Sequence, residues 1–201
     1  MSAAPIEFWF DFSSPYGYFG SQRIEQVAKA HNREVRWRPF LLGVLFQTTG
    51  QSPLLSQPLR GPYSARDMAR TARLYGIPFR LPEPFPFGSV AAARFFYWLD
   101  ERDGAAAIAF AKAVYARAFV EGKAVSSPEE TAEVASGLGR DRSDTLAALQ
   151  QPELKKQLKA INDEAMAKGV FGSPYFIVDG EPFWGHDRLD QIDRWLATGG
   201  W

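Results

Sequence analysis

Ile6-Glu-Phe-Trp-Phe-Asp-Phe-Ser-Ser14-Pro15 joins a short aromatic and β-branched run to a serine pair and a proline. The run reads as a buried strand and the Ser-Pro step as the start of a helix. Pro15 suits the first helical position, because its missing N–H would find no partner there anyway, and Ser14 is then the N-cap. Beyond it, Ile24, Val27 and Ala28 carry a helical stripe to about His31, and Glu34 to Phe40 alternates as a second strand. The chain therefore opens with a strand-helix-strand unit of βαβ type.

Further along, Leu41 to Tyr63 breaks into Gly, Gln, Ser and Pro with scattered apolar residues, which predicts a long connection without regular structure. Ala65 to Tyr75 is helical until Gly76-Ile-Pro78 stops it, and Phe79 to Phe87 alternates prolines with phenylalanines as an extended wall. Helical stretches follow at Val90 to Glu101, Ala105 to Val120, Glu129 to Ser136, Thr145 to Leu149 and Glu153 to Ala167. Gly169-Val-Phe-Gly-Ser-Pro174 closes that block. Tyr175 to Val178 is an apolar strand ended by the Asp179-Gly180 turn, and Pro182 to Trp184 is a short edge strand, where a proline is tolerated. Asp187 is expected to cap a last helix whose Leu189, Ile192 and Leu196 face inward. The order is that of an α/β chain, a thioredoxin-like fold with an all-helical insertion subdomain. Residues 1–40 and 170–201 would make the thioredoxin-like part, and residues 41–169 the loop and helical insertion.

Composition narrows the chemistry. In 201 residues, 23 basic side chains balance 23 acidic ones, and no Lys/Arg cluster is long enough to track a phosphate backbone, so nucleic acid is not an expected partner. Cysteine is absent, which excludes disulfides, thiolate metal sites and a catalytic protein thiol; any sulfur chemistry must borrow its sulfur. Met1 to Pro5 shows no basic n-region leading into an apolar h-region, and no apolar run approaches the ~18 residues of a membrane span. A cytoplasmic protein with no membrane partner is the expectation. Aromatics reach 14 %, with 16 Phe, 7 Tyr and 6 Trp, enough to line a ligand pocket or a homodimer interface as well as a core.

Ser14 is the first candidate for chemistry, because a hydroxyl at the positive end of a helix can donate to an anion such as a thiolate. The plain alternative is an N-cap; Ser13 lies one residue outside. The second candidate is Ser173-Pro174: in a thioredoxin-like order this bond faces the first helix, and a cis form would turn the Ser173 backbone N–H and C=O toward a bound peptide. The third is Trp184-Gly-His-Asp-Arg188. Gly185 allows close backbone approach, while Arg188 in a first helical turn opposes the helix dipole and hints at another task. His31 and His186 are dispersed, without the clustered carboxylates of a metal site. Ser14, His186 and an Asp lack the G-x-S-x-G elbow of a hydrolase, and no G-x-G-x-x-G or Walker pattern supports a nucleotide.

Phe10-Asp-Phe-Ser-Ser14-Pro-Tyr16, Leu74-Tyr-Gly-Ile-Pro78, and Val170-Phe-Gly-Ser-Pro174 through Asp179-Gly-Glu181 to Phe183-Trp-Gly-His-Asp-Arg-Leu189 together resemble the glutathione-dependent 2-hydroxychromene-2-carboxylate isomerases. The related kappa-class glutathione transferases share the pattern, in a DsbA-like branch of the thioredoxin fold. The resemblance spans the chain in order and length. It implies that Ser14, where thioredoxins carry cysteine, hydrogen-bonds the sulfur of glutathione and holds it as thiolate. It further implies that Ser173, before a cis Pro174, aligns the glutathione backbone like an added strand, and that Trp184, Gly185, His186 and Asp187 bind the remainder, with Asp187 meeting the γ-glutamyl ammonium. His186 departs from the small or amide residue expected there.

The implied activity is that of an aromatic-degradation enzyme. Thiolate would add reversibly to an unsaturated aromatic keto acid, allow rotation, and leave, with glutathione as catalyst. Phe46, Phe85 and Phe87 would hold the flat substrate in a dry cleft. Two departures bear on substrate: the basic residue such isomerases use near the start of the long loop falls at Phe46, and their Asn-Arg pair has no match between Gly50 and Leu59. Arg60 or Arg66 would then have to anchor a carboxylate. A kappa-like transferase and a non-enzymatic glutathione or peptide carrier are the alternatives.

Overall fold

The computed structural model describes residues 4–201; Met1–Ala3, part of the segment read above for a leader, lie outside them. Four strands form one sheet in the order β2-β1-β3-β4, where β1 is Ile6–Phe10, β2 Val35–Pro39, β3 Tyr175–Val178 and β4 Glu181–Trp184. β1 runs parallel to β2 and antiparallel to β3, and β3 and β4 form a hairpin. The hairpin turn places Asp179 and Gly180 at φ 53° and 91°, as a tight two-residue hairpin turn requires.

Alternation along β1 fills two cores. Ile6, Phe8 and Phe10 enter the larger one with Trp37, Phe96, Tyr115 and Phe176, while Trp9 points to the other face with Phe40, Leu45, Ala165 and Val170. Both faces are thus covered, which is why the strand reads as a continuous apolar run. Each such aromatic, fully removed from water, contributes on the order of 1.5–3 kcal/mol.

Among the described residues, ten α-helices surround the sheet: α1 Pro15–Ser21, α2 Ile24–Ala30, α3 Leu42–Thr49, α4 Arg60–Tyr75, α5 Val90–Asp100, α6 Gly104–Phe119, α7 Pro128–Gly137, α8 Arg142–Leu149, α9 Pro152–Ala167 and α10 Leu189–Thr198. Between α4 and α5 the proline-phenylalanine stretch is non-helical, with cis bonds at Glu83-Pro84 and Phe85-Pro86. Among the described residues no helix is long and apolar enough to cross a membrane.

Three expectations are corrected. The single helix from Pro15 to His31 is two, because Gly17 and Gly20 weaken α1 and the Ser21 hydroxyl bonds back to the Tyr18 carbonyl at 2.7 Å. The connection from Leu41 to Tyr63 contains α3 and a 3-10 turn, Leu54–Ser56, and α4 begins at Arg60. Asp187 does not cap α10; it lies inside a 3-10 turn, His186–Arg188, and the residue before the helix is Arg188, whose side chain makes no cap.

Candidate active site at the start of the first helix

The sheet's geometry brings the ends of β1 and β3 together, and with them the two serines. Ser14 has an extended backbone, φ −90° and ψ 114°, and its Oγ accepts the Gly17 N–H at 3.0 Å, so the N-cap is real. The same hydroxyl donates to the Ser173 carbonyl at 3.0 Å. Ser173-Pro174 is cis, and Pro174 accepts the Gly185 N–H at 3.0 Å. Ser14 and Ser173 are both buried, at 6 % and 9 % exposure.

No side chain fits at Gly17. A Cβ there would stand 2.6 Å from the Tyr115 hydroxyl, 2.8 Å from Ser173 Oγ and 3.2 Å from Ser14 Cβ. Behind the turn sits Asp11, buried at 3 %. Its carboxylate accepts from Ser13 N and Oγ at 2.8 and 2.9 Å, from Ser89 Oγ at 2.8 Å and from Leu42 N at 2.8 Å. Burial pushes its pKa up, and these donors oppose the push.

On the outer side, His186 stacks on Tyr16, with ring centroids 5.4 Å apart and planes 7° from parallel, and meets Phe19 and Tyr75 edge-on. Its Nδ1 is buried without a hydrogen-bond partner among the described residues, and burial holds the imidazole below its ordinary pKa against the pull of Asp187 and Asp67. The Tyr16 hydroxyl donates to Asp67 at 2.7 Å, and Asp67 also binds Arg70 at 2.5 Å. Trp184 is 55 % exposed and packs edge-on against Phe171. Gly185 adopts φ 112°, a conformation closed to other residues, and Asp187 is exposed and paired with Arg188 at 3.3 Å.

The structure therefore gathers Ser14, Ser173, Pro174, Gly185 and His186 around one helix start, with Trp184 on the rim and Asp187 beyond it. Of the three phenylalanines expected to line an aromatic cleft, Phe87 is buried in the core against Phe119, while Phe46 and Phe85 are half-buried. Two surface pockets, of about 430 and 380 Å³, are lined by other residues, including Ala72, Ile77 and Phe79 in the first and Val35, Trp37 and Ile108 in the second. Arg60 and Arg66 are exposed on α4. Sequence reasoning passed over Asp11, Tyr16 and Tyr115; an acid interrupting an apolar strand is the one local signal that marks Asp11.

The profile of the family described as DSBA-like thioredoxin domain matches residues 5–197. A kappa 2 glutathione S-transferase of Caenorhabditis elegans is 29 % identical, over 96 % of this chain and 91 % of the relative. A 2-hydroxychromene-2-carboxylate isomerase of Pseudomonas putida is 28 % identical, over 94 % of this chain and 92 % of its own. A solved 2-hydroxychromene-2-carboxylate isomerase superposes with a TM-score of 0.85 at 28 % identity, over 96 % of this chain and 94 % of that one.

Proposed function

This chain belongs to the DSBA-like thioredoxin domain family, and we propose that it is a glutathione-dependent isomerase of an unsaturated aromatic keto acid, of the 2-hydroxychromene-2-carboxylate type. The observation that carries the reading is the contact between Ser14 and the Ser173 carbonyl in a chain without cysteine. Protein-thiol disulfide exchange is closed to such a chain, while a hydroxyl donor beside an open backbone edge suits a thiol brought by a peptide.

The residues fit glutathione by an exchange of hydrogen bonds. Ser14 has one hydrogen to donate, and Ser173 O holds it at 3.0 Å. Turned to a sulfur, that hydrogen favours thiolate, because a hydrogen bond to the charged form lowers its pKa from about 8.5. The Ser173 carbonyl is then free to accept a peptide N–H, so no buried acceptor is left unpaired. Gly17 N stays on Ser14 Oγ throughout and keeps the hydroxyl aimed. Pro174, Trp184, Gly185 and His186 would wall the peptide, and Asp187 would meet its ammonium. When bound, glutathione supplies a nucleophile that adds reversibly to a conjugated carbon and leaves after rotation about the bond made single.

In the same proposal, residues 1–40 and 170–201 hold glutathione and residues 41–169 present the aromatic substrate. The setting is the cytoplasm, where thiols stay reduced, and the assembly a homodimer. A second reading, a kappa-like transferase, is favoured by the 29 % identical relative and by Phe46 standing where isomerases carry a basic residue. Product analysis decides: an isomerase returns all its glutathione after many turnovers of the hydroxychromene acid, whereas a transferase consumes one per turnover. Binding of glutathione with neither outcome would leave a carrier.

A further inference from the structure

Every polar atom of Asp11 is engaged. Its N–H donates to Ser173 Oγ at 3.0 Å, and its carbonyl accepts from Ser14 N at 2.9 Å and from the Tyr115 hydroxyl at 3.1 Å. The carboxylate takes the four donors described above, and those donors come from three separate parts of the chain. Ser13 belongs to the turn that ends in Ser14. Leu42 N is the first N–H of α3, an orphan that no helical carbonyl can serve, and Asp11 caps it from 31 residues away. Ser89 stands at the N-cap of α5 and makes no cap there; its hydroxyl goes to Asp11 instead, across 78 residues.

Among the described residues no Lys, Arg or His forms an ion pair with this carboxylate, although it is buried. A buried carboxylate held only by neutral donors is costly to keep, and its two acceptor-only oxygens are what receive all four donors at once. The four donors sit on the site turn and at the starts of α3 and α5.

We propose that Asp11 is a positioning residue for Ser14: its carboxylate fixes the turn from Asp11 to Ser14 and locks it to the starts of α3 and α5. The serine hydroxyl and the helical region facing it are thereby held in one register. This rests on the reading that Ser14 serves a bound glutathione thiol. Asp11 touches neither sulfur nor substrate; it acts through Ser14.

The test uses the full chain carrying Asp11→Asn. Asn keeps an oxygen for Ser13 and Ser89 but sets an NH2 against Leu42 N–H. The readout is the pH at which glutathione bound to the protein acquires thiolate ultraviolet absorbance, beside the affinity for S-methylglutathione, which has no thiol. The expected result is a thiolate midpoint raised by about one unit, through the misaimed Ser14 hydrogen bond, with S-methylglutathione affinity within about threefold of the parent chain. A folded variant with an unchanged midpoint overturns the proposal. So does a lowered midpoint, which would make Asp11 a repelling charge and not a positioning group. Should the Asn variant fail to fold, Ser89→Ala decides: it removes one donor and leaves the charge, and a smaller rise is expected where no rise contradicts. If the parent chain itself binds neither glutathione nor S-methylglutathione, the proposed function fails and this inference falls with it, an outcome distinct from a parent that titrates normally beside an indifferent Asn variant.

Discussion

At Ser14 a single hydroxyl serves both structure and chemistry, accepting from Gly17 N and donating to Ser173 O, each at 3.0 Å. Ser14→Ala removes both. The thiol of glutathione bound to that variant is expected to titrate near the free value of about 8.5, and turnover to fall about 100-fold or more, the scale of losing a donor to a developing anion. Stability should drop by only about 1 kcal/mol, the cost of a lost cap. Thiolate absorbance against pH, beside urea unfolding, separates the two effects. His186 supplies a pH dependence. Its pKa is depressed by burial, so the unfolded chain takes up the proton first, and stability holds above about pH 6.5 and declines as pH falls toward the lower folded value. His186→Phe, which keeps a flat ring on Tyr16, is expected to make that decline shallower, by at most the one proton this group binds; an unaltered slope in urea unfolding across this range would contradict the burial account. Ser14 was legible because capping chemistry is local. The Tyr16–His186 stack was not, since it joins residues 170 positions apart.

Among the elements, α1 shows how little space the site leaves. Gly17→Ala forces a methyl against the Tyr115 hydroxyl and Ser173 Oγ, at 2.6 and 2.8 Å. Overpacking of this kind is expected to cost about 1–3 kcal/mol, read as a lower urea midpoint at constant slope, and to disturb the Ser14–Ser173 contact, read as lost thiolate formation. A gain of helix stability without loss of thiolate would show the site to be looser than this geometry. The helices from Val90 onward were readable from period, caps and glycines. α3 was not, because Leu42-Gly-Val-Leu-Phe-Gln-Thr-Thr49 mixes a glycine with two threonines and receives its first-turn acceptors from outside: Asn162 takes Leu41 N at 2.9 Å and Asp11 takes Leu42 N. Such long-range capping leaves no mark on the segment itself.

Over the whole molecule, ion pairs tie the sheet to the end of α9, Glu7 of β1 with Lys168 at 2.6 Å and Arg38 of β2 with Glu164. Arg38 of β2, 7 % exposed, binds Glu164 of α9 and lies over the Trp9 ring at 4.6 Å. Glu164→Gln leaves that guanidinium buried with a neutral partner; since Glu164 is 40 % exposed, a loss of about 1–3 kcal/mol is expected, between an exposed and a fully buried pair. Equilibrium unfolding measures it, and a change below a few tenths would mean that Trp9 and solvent suffice to hold Arg38. The overall topology was legible because strand, helix and turn signals came in an order that few sheets satisfy. The place of Phe87 was not: aromatic content cannot distinguish a ring buried against Phe119 from one lining a pocket. Thiolate formation from glutathione at this site is read by calorimetric titration with reduced glutathione in two buffers of different ionisation enthalpy. Saturable binding with about one proton released near neutral pH is the expected result; no binding at roughly millimolar glutathione, or binding without proton release, would contradict it.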